Sequence, residues 1–519
     1  MWIVLQTEEK RQQIPNSIGR AVFVALSFLL QVCWIMGFAL YLTKYYALIQ
    51  LAASLIALLV VFSVYGRSMN AAFRLTWIIV ILLFPVLGTC LYLLFGTPLA
   101  VRPLRRRFRA ADAALAPTLQ REIRAGDLSA APELLSPALR GQARYLQNTA
   151  GFPVYRNTKV RFYGDTCEAL EAQREALAGA KHFIFLEYHA IEDSTAWQSL
   201  EDILTERAAA GVDVRVFYDD VGSMGFISPP FAQRLNAKGI QCRVFNPLIP
   251  SMNIIMNNRD HRKITVVDGQ VGFTGGYNLA DEYFNLTHPY GQWKDSGLRL
   301  EGDAVRGLTL IFLQMWGATQ RTPLEIQPFL PPVSADDADG VVIPYADTPL
   351  DDEPVGENVY INLINSAQDF VYLTTPYLII SDEMQRALVL AAHRGVDVRI
   401  VTPGVPDKKL VFRVTRSHYA RLAAQGVRIY EYTPGFLHAK QAVADGAAAV
   451  VGTINLDYRS LYLHFENACW FTSRRAVADL IADFTDLFAQ SREVTEQYRD
   501  RSAGLRGVDC LLRLFSPLM

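Results

Sequence analysis

One pattern of polar residues, His-x-Lys-x4-Asp, occurs twice in the chain. Its residues are His261, Lys263 and Asp268 in the first copy and His438, Lys440 and Asp445 in the second. A histidine whose pKa is about 6.5 can act as a nucleophile when neutral and as a proton donor when charged, so two histidines can divide these tasks. Two lysine ammonium groups beside them would bind the negative oxygens of a phosphodiester and of its transition state. The duplicated pattern therefore predicts phosphoryl-transfer chemistry.

A Gly-x-x-Asn sequence follows each copy after six intervening residues. It reads Gly275-Gly276-Tyr277-Asn278 in the first copy and Gly452-Thr453-Ile454-Asn455 in the second. The amides of Asn278 and Asn455 are predicted to bind phosphate oxygens together with the lysines. Asp268 and Asp445 both precede glycine, which leaves a turn residue and a group that orients a catalytic side chain as equal alternatives for them.

The residue types favour a mechanism in two steps. Neutral His261 attacks phosphorus to give a phosphohistidine, while protonated His438 donates its proton to the departing alkoxide and later deprotonates the incoming alcohol. The symmetry of the two copies leaves open which histidine attacks. No metal ion or other cofactor is expected.

The elements around the motif are also duplicated. Apolar strands are predicted at Phe183–Leu186 and Phe370–Leu373, and each is followed by a helical stretch and a second strand, Gly211–Val216 or Gly395–Ile400. Strands alternating with helices predict an α/β fold with helices on a mostly parallel sheet. The histidine and lysine of each copy would lie on one face of a strand. Two such domains related by a pseudo-twofold would bring both histidines into a single site.

Three apolar runs near the N-terminus contain no charged residue: Ala21–Leu42, Tyr45–Tyr65 and Leu75–Phe95. Each is long enough to span a bilayer as a helix, which takes about 20 residues, and they are predicted to be permanent anchors. If all three cross, the positive residues near them divide almost evenly between the two sides. The arginine cluster at 102, 105, 106, 107 and 109 favours a cytoplasmic C-terminal part and is a candidate site for anionic lipid headgroups.

The predicted organisation has five parts. They are a membrane-anchor region with two or three transmembrane helices at 1–100, a basic juxtamembrane helical linker at 101–150, a first domain at 151–330, a connecting segment at 331–355 and a second domain at 356–519. A net charge of −1 argues against a protein that binds nucleic acid through a broadly basic surface. The six cysteines include no Cys-x-x-Cys pair, which argues against a disulfide framework or a zinc site.

The paired motif with its Gly-x-x-Asn resembles the phospholipase D superfamily. Further segments resemble bacterial cardiolipin synthases, among them Asn455–Ser460, Phe465-Glu466, Thr375–Tyr377 and Leu91–Gly96. The resemblance implies duplicated mixed-sheet α/β domains preceded by transmembrane helices, in a multi-pass protein of the bacterial plasma membrane. It implies transfer of a phosphatidyl group from one phosphatidylglycerol to another, without a cofactor, to give cardiolipin and glycerol. It also implies that Glu282 and Glu466 hold the histidine rings.

Two features depart from the pattern of the superfamily. Many members have serine after the motif glycine, where this chain has Gly276 and Thr453, and asparagine before the Phe-Glu pair, where it has His464. Neither departure removes a histidine or a lysine of the motif. The expected partners are phosphatidylglycerol, other anionic phospholipids and the membrane, but not nucleic acid, and the oligomeric state is left open.

Three other functions compete with phosphatidyl transfer. A hydrolytic, membrane-bound phospholipase D would pass the same phosphatidyl group to water. A nuclease of the superfamily is disfavoured by the apolar runs and by the lack of basic excess. A membrane scaffold without activity would have little reason to keep two complete motifs.

Overall fold

The structure is a computed structural model, and it describes residues 26, 28–37, 46–97, 101–128, 135–228, 230–247, 258–320, 324–333, 335–499 and 503–518. The chain divides into two compact units. The smaller unit takes in residues 1–105, 246–257 and 517–519, and the larger one takes in residues 106–245 and 258–516.

The described strands all lie in the larger unit. They are β1 (Thr158–Tyr163), β2 (Phe183–Tyr188), β3 (Asp213–Asp219), β4 (Gln241–Phe245), β5 (Lys263–Val267), β6 (Val271–Gly275), β7 (Gly297–Gly302), β8 (Val342–Asp347), β9 (Phe370–Thr374), β10 (Asp397–Pro403), β11 (Arg428–Tyr432), β12 (Gln441–Ala444), β13 (Ala448–Gly452), β14 (Glu466–Phe471) and β15 (Ser491–Glu493).

These strands form two sheets with the same internal order, which confirms the duplication. The first sheet runs β1-β7-β6-β5-β2-β3-β4, and the second runs β8-β14-β13-β12-β9-β10-β11-β15. Only the β2-β3-β4 and β9-β10-β11 pairings are parallel, and the other neighbours are antiparallel. The sheets are therefore mixed, which confirms the duplicated mixed-sheet α/β domains implied by the family resemblance, and only the mostly parallel sheet predicted from the alternation of strands and helices is wrong. The cause is the motif itself, because each His-x-Lys segment leads into a tight hairpin that joins its sheet antiparallel.

Helices cover the sheets and form the described part of the smaller unit. They are α1 (Phe28–Gly37), α2 (Tyr46–Tyr65), α3 (Ala71–Leu83), α4 (Pro85–Leu91, continued by a π-helical turn at Tyr92–Gly96), α5 (Arg102–Ala125), α6 (Pro137–Arg144), α7 (Thr166–Ala178), α8 (Thr195–Ala209), α9 (Asp220–Ser223), α10 (Phe231–Ala237), α11 (Val305–Thr319), α12 (Val355–Ser366), α13 (Asp382–His393), α14 (Lys409–Ala423), α15 (Tyr458–Tyr462), α16 (Arg474–Ala489), α17 (Thr495–Arg499) and α18 (Ala503–Phe515).

Two segments predicted to be linkers contribute to the packed body of the larger unit. In the segment 101–150, Phe108 of α5 stacks on Phe465 with ring centroids 4.8 Å apart, and Gln142 accepts a hydrogen bond from the indole of Trp470 at 3.0 Å. In the segment 331–355, β8 is an edge strand of the second sheet. The segment predicted to connect the two domains thus supplies a strand of the second sheet.

The smaller unit contains apolar helices of different lengths, where the sequence predicts two or three transmembrane helices. Among the described helices only α2 is long and apolar enough to cross a membrane. Part of the first apolar run forms α1, and the remainder of that run lies outside the described residues. The third run breaks between Leu83 and Pro85, because a proline in the interior of a helix removes a hydrogen bond and clashes with the preceding turn. The third run therefore forms no single helix of spanning length, and the number of two or three spans stays a prediction.

Candidate active site

Each motif histidine is paired with a carboxylate from the other half of the larger unit. His261 places its ring Nδ1 at 2.9 Å from Oε2 of Glu466, a residue of β14 in the second sheet. His438 places its ring Nδ1 at 2.6 Å from Oδ2 of Asp295, just before β7 in the first sheet. Both imidazoles are more than nine-tenths buried. Each motif histidine therefore takes its carboxylate partner from the other half rather than from its own.

Backbone hydrogen bonds hold these pairs in register. The residue before each carboxylate accepts the main-chain N–H of the histidine, Phe465 from His261 at 2.8 Å and Lys294 from His438 at 2.7 Å. An ionised carboxylate can only accept hydrogen bonds, so it selects the tautomer with hydrogen on Nδ1. In that tautomer the lone pair of the ring is on Nε2.

The two lysines of the motifs are fully buried beside the histidines. Nζ of Lys263 donates to the carbonyl oxygen of His261 at 2.8 Å, and Nζ of Lys440 lies 2.8 and 2.9 Å from the two ring nitrogens of His438. Burial lowers the pKa of Lys263 to about 8 against the opposing charge of Glu466. Burial also lowers the pKa of Lys440 to about 7, with Asp295 opposing and Lys263 adding to the shift. Two ammonium groups forced together in this way form a site for an anion.

The same surroundings act on the histidines and their carboxylates. Burial and the charge of Lys440 lower the pKa of His438 to about 4, and burial lowers the pKa of His261 well below its ordinary value. Both imidazoles are therefore neutral at pH 7 in the free protein. Burial raises the pKa of Glu466 well above its usual range, whereas His438 and Lys440 overcome burial and hold the pKa of Asp295 below its usual value. The carboxylate beside His438 is thus the one better able to stabilise an imidazolium.

The asparagines of the two halves have different surroundings. Asn278 accepts a hydrogen bond from the main-chain N–H of Ala190 at 3.1 Å and donates to the hydroxyl of Tyr283 at 2.8 Å. Asn455 is buried, and its Oδ1 has no hydrogen-bond partner among the described residues. The amide of Asn278 is therefore already engaged in hydrogen bonds within the protein.

The two motif aspartates lie at the far end of the hairpins. Each has a positive φ of 52° and accepts three main-chain N–H groups at 2.7–2.9 Å, Asp268 from residues 181–183 and Asp445 from residues 368–370. They fix the hairpin turn to the start of β2 or β9. A strand rises about 3.3 Å per residue, so a separation of five residues carries them well away from the lysines. These contacts favour the turn role, and a role in orienting a catalytic group stays an untested prediction.

The two departures at the motif glycine have a steric and a polar reason. A Cβ added to Gly276 would lie 2.1 Å from Oδ1 of Asp295, so a larger residue would displace the carboxylate that holds His438. At the matching position, the hydroxyl of Thr453 donates to Oε2 of Glu466 at 2.5 Å. At position 276 the close approach of Asp295 explains the glycine, and at position 453 the hydrogen bond to Glu466 explains the threonine.

The two glutamates predicted to hold the histidines have different positions. Glu466 lies on His261 as expected, but Glu282 lies on the short 3-10 helix Asp281–Phe284, where its charged neighbours are Glu192 and Asp281. The carboxylate on His438 is Asp295, which sequence reasoning missed. The signal becomes readable only once β7 and β14 are recognised as equivalent strands.

The Asp295→Asn substitution should distinguish the role of Asp295 from that of Glu282. We expect kcat to fall about 10²- to 10⁴-fold with little change in KM, because an amide can hold His438 in the wrong tautomer and cannot stabilise its charged form. Glu282→Gln is the matched control and should leave kcat unchanged. A larger loss in the control than in Asp295→Asn would contradict this assignment.

Two further histidines border His261. The ring centroids of His189 and His464 lie 4.9 and 5.4 Å from that of His261. In the part of the chain that the structure describes, donor atoms of His261, His464 and Glu466 lie within 4.8 Å of one another and could hold a metal ion. Lys263 acts on the same cluster, and after burial its charge is the main cause that lowers the pKa of His261. An ammonium at this place opposes a cation and favours an anion.

Comparison with protein families gives two matches. A family model described as "Cardiolipin synthase, PLD-like domain" matches residues 174–316 and 360–488, and one described as "Phospholipase D-nuclease N-terminal" matches residues 52–96. The first covers both histidine segments.

Among curated proteins, an uncharacterised protein of Streptococcus mutans is 42% identical over 88% of this chain and 98% of its own length. A cardiolipin synthase of Geobacillus sp. is 35% identical over 91% of this chain and 93% of its own length. A cardiolipin synthase of Halalkalibacterium halodurans is 34% identical over 86% of this chain and 88% of its own length. Phosphatidylserine synthase of Haemophilus influenzae has a similar fold, with a TM-score of 0.54 and 14% identity over 73% of this chain and 98% of that one.

Proposed function

The chain belongs to the family of phospholipase D-like cardiolipin synthases, and we propose that it joins two molecules of phosphatidylglycerol into cardiolipin and releases glycerol. The observation that carries the proposal is the exchange of histidines and carboxylates between the two halves around a pair of buried lysines. Such a site offers two reactive nitrogens and two positive charges to one phosphodiester.

The first step forms a covalent intermediate. Nε2 of His261 attacks the phosphorus of the donor lipid, the bond from phosphorus to the glycerol headgroup oxygen breaks, and His438 gives that oxygen its proton. Lys263 and Lys440 bind the non-bridging oxygens. The ionised Asp295 supports His438 as the acid, since it stabilises the charged ring.

His438 must gain the proton that it donates when the substrate binds. Its pKa of about 4 in the free protein leaves it neutral at pH 7, with Lys440 contributing to the shift. A phosphodiester anion between the lysines would offset their charge and raise the pKa of His438. Binding of the donor lipid is thus coupled to uptake of a proton.

The second step returns the enzyme to its starting state. Neutral His438 removes the proton from a headgroup hydroxyl of the second phosphatidylglycerol, and the oxygen attacks the phosphohistidine. The bond between phosphorus and His261 breaks, and cardiolipin leaves. The relatives named as cardiolipin synthases and the apolar helix α2, which would hold the protein among lipid alcohols, favour this acceptor over water.

Incubation of the full-length protein in detergent with phosphatidylglycerol alone tests the proposal. We expect cardiolipin and glycerol in equal amounts, resolved by mass spectrometry of the lipid products. Phosphatidic acid without cardiolipin would identify a hydrolase and refute the proposed transfer. Product formation by the His261→Ala protein would show that the lipid chemistry comes from a contaminant.

A further inference from the structure

The third apolar run folds back on itself as a helical hairpin. A Cβ added to Gly88 of α4 would lie 2.4 Å from the carbonyl oxygen of Val80 in α3, so the two helices are in close contact near the tip. Nearer the open end, the rings of Trp77 and Tyr92 lie 5.4 Å apart. The chain therefore enters and leaves this hairpin at the same end.

Neither arm of the hairpin is long enough to cross a bilayer. At about 1.5 Å per residue, the 13 residues of α3 rise about 20 Å and the 12 residues of α4 with its π-helical turn rise about 18 Å. The hydrocarbon core of a bilayer is about 30 Å thick, which the 20 residues of α2 match. Each arm therefore covers only about two-thirds of the thickness of the hydrocarbon core.

The tip of the hairpin has the chemistry of hydrocarbon rather than of a water-exposed loop. Leu82, Leu83 and Phe84 are each at least half exposed, and Pro85 follows them. The main-chain N–H of Phe84 donates to Val80 at 3.0 Å, the carbonyl of Phe84 accepts from residue 88, and Pro85 has no N–H to satisfy. Because Phe84 is hydrogen-bonded through both its N–H and its carbonyl and Pro85 has no N–H, this tight turn leaves fewer free polar groups than an open loop, which lowers the cost of placing it inside a bilayer.

The open end of the hairpin is polar and positively charged. Arg74 donates to the carbonyl of Met69 at 2.9 Å, and the guanidinium of Arg67 lies 5.5 Å from the centre of the Tyr92 ring. Asn70 begins α3 as its N-cap and accepts the N–H of residue 72 at 2.9 Å. These side chains belong at the level of lipid headgroups.

We propose that α2 crosses the membrane and that the α3–α4 hairpin is inserted into only one leaflet, its exposed side chains in contact with lipid acyl chains. The chain then emerges after residue 97 on the side where it entered at residue 66. In this topology the positive residues no longer divide almost evenly between the two sides of the membrane. Seven arginines share one side, at positions 67, 74, 102, 105, 106, 107 and 109, and this side is the cytoplasmic one.

Single reporter cysteines in the full-length protein test this topology. The six native cysteines are replaced by alanine, the protein is shown to be active, and Ser68→Cys, Leu83→Cys or Ala110→Cys is added. Each of these positions is exposed. Right-side-out and inverted membrane vesicles are then treated with a membrane-impermeant maleimide, and detergent-dissolved samples show the full reactivity.

Ser68→Cys and Ala110→Cys should both react in inverted vesicles only, and Leu83→Cys should react only after detergent is added. Reaction of positions 68 and 110 from opposite faces would establish a crossing helix between them and overturn the hairpin. Reaction of Leu83→Cys from the far face would do the same. A position 68 that reacts from neither face would place the charged end in the bilayer, which also contradicts the proposal.

Discussion

His261→Ala is expected to lower cardiolipin formation about 10⁴-fold or more and to abolish any phosphorylated enzyme intermediate, because it removes the nitrogen that attacks phosphorus. His438→Ala should lower the rate with phosphatidylglycerol to a similar extent, but for a different reason. It removes the proton donor for the glycerol alkoxide and not the nucleophile.

A donor lipid with a nitrophenol headgroup distinguishes these two roles. Nitrophenolate leaves without help from an acid, so the His438→Ala protein should release it in a burst of about one equivalent and then stop as phosphohistidine. Peptide mass spectrometry should find the phosphoryl group on His261. His393→Ala, at the exposed end of α13, is the control and should behave as the wild type. A burst from the His261→Ala protein with the adduct on His438 would reverse the assignment of the two histidines.

Lys440→Met is expected to weaken catalysis and strengthen the fold. Loss of one preorganised charge at the phosphate should lower kcat/KM about 10²- to 10³-fold. The pKa of Lys440 is about 7 in the folded protein and 10.5 for an ordinary lysine, so its charge opposes folding fully below pH 7 and progressively less up to pH 10.5. This opposition amounts to at most about 5 kcal/mol, and the lost hydrogen bonds offset part of it, which leaves a gain of about 2 kcal/mol.

Thermal unfolding in detergent measures this gain. The Lys440→Met protein should unfold at a higher temperature than the wild type at pH 6.5, and the difference should shrink at pH 9.5. Lys409→Met changes an exposed lysine at the start of α14 and should shift neither the unfolding temperature nor the activity. If the Lys440→Met protein were less stable than the wild type by the same amount at both pH values, the charge of Lys440 would not oppose folding.

The two lysines also set the alkaline limit of activity. Because Lys440 and Lys263 lose their protons at about pH 7 and about pH 8, kcat/KM of the wild type should fall between these values rather than near 10.5.

The duplicated α/β architecture and the two histidine–lysine pairs could be predicted from the sequence because their spacing is local and repeated. The partner of His438 could not be predicted. Asp295 lies 143 residues before it, and no local pattern reports a contact made between sheets. The pattern could not decide between the two roles of the motif aspartates, because a residue beside a catalytic pair in sequence need not be near it in space, and strand β5 or β12 separates each aspartate from the lysine of its motif. The break at Pro85 was readable in principle, since proline in a long apolar run indicates a bend.

The exchange of partners between the halves has a consequence for the newborn protein. Glu466 leaves the ribosome 205 residues after His261, a delay of about 10 to 40 s at ordinary rates of synthesis. During that interval the first domain has no carboxylate to orient its histidine. If α2 enters the membrane during synthesis, the nascent chain would lie among lipids without a complete site, and we expect activity to start only when the second domain has folded against the first.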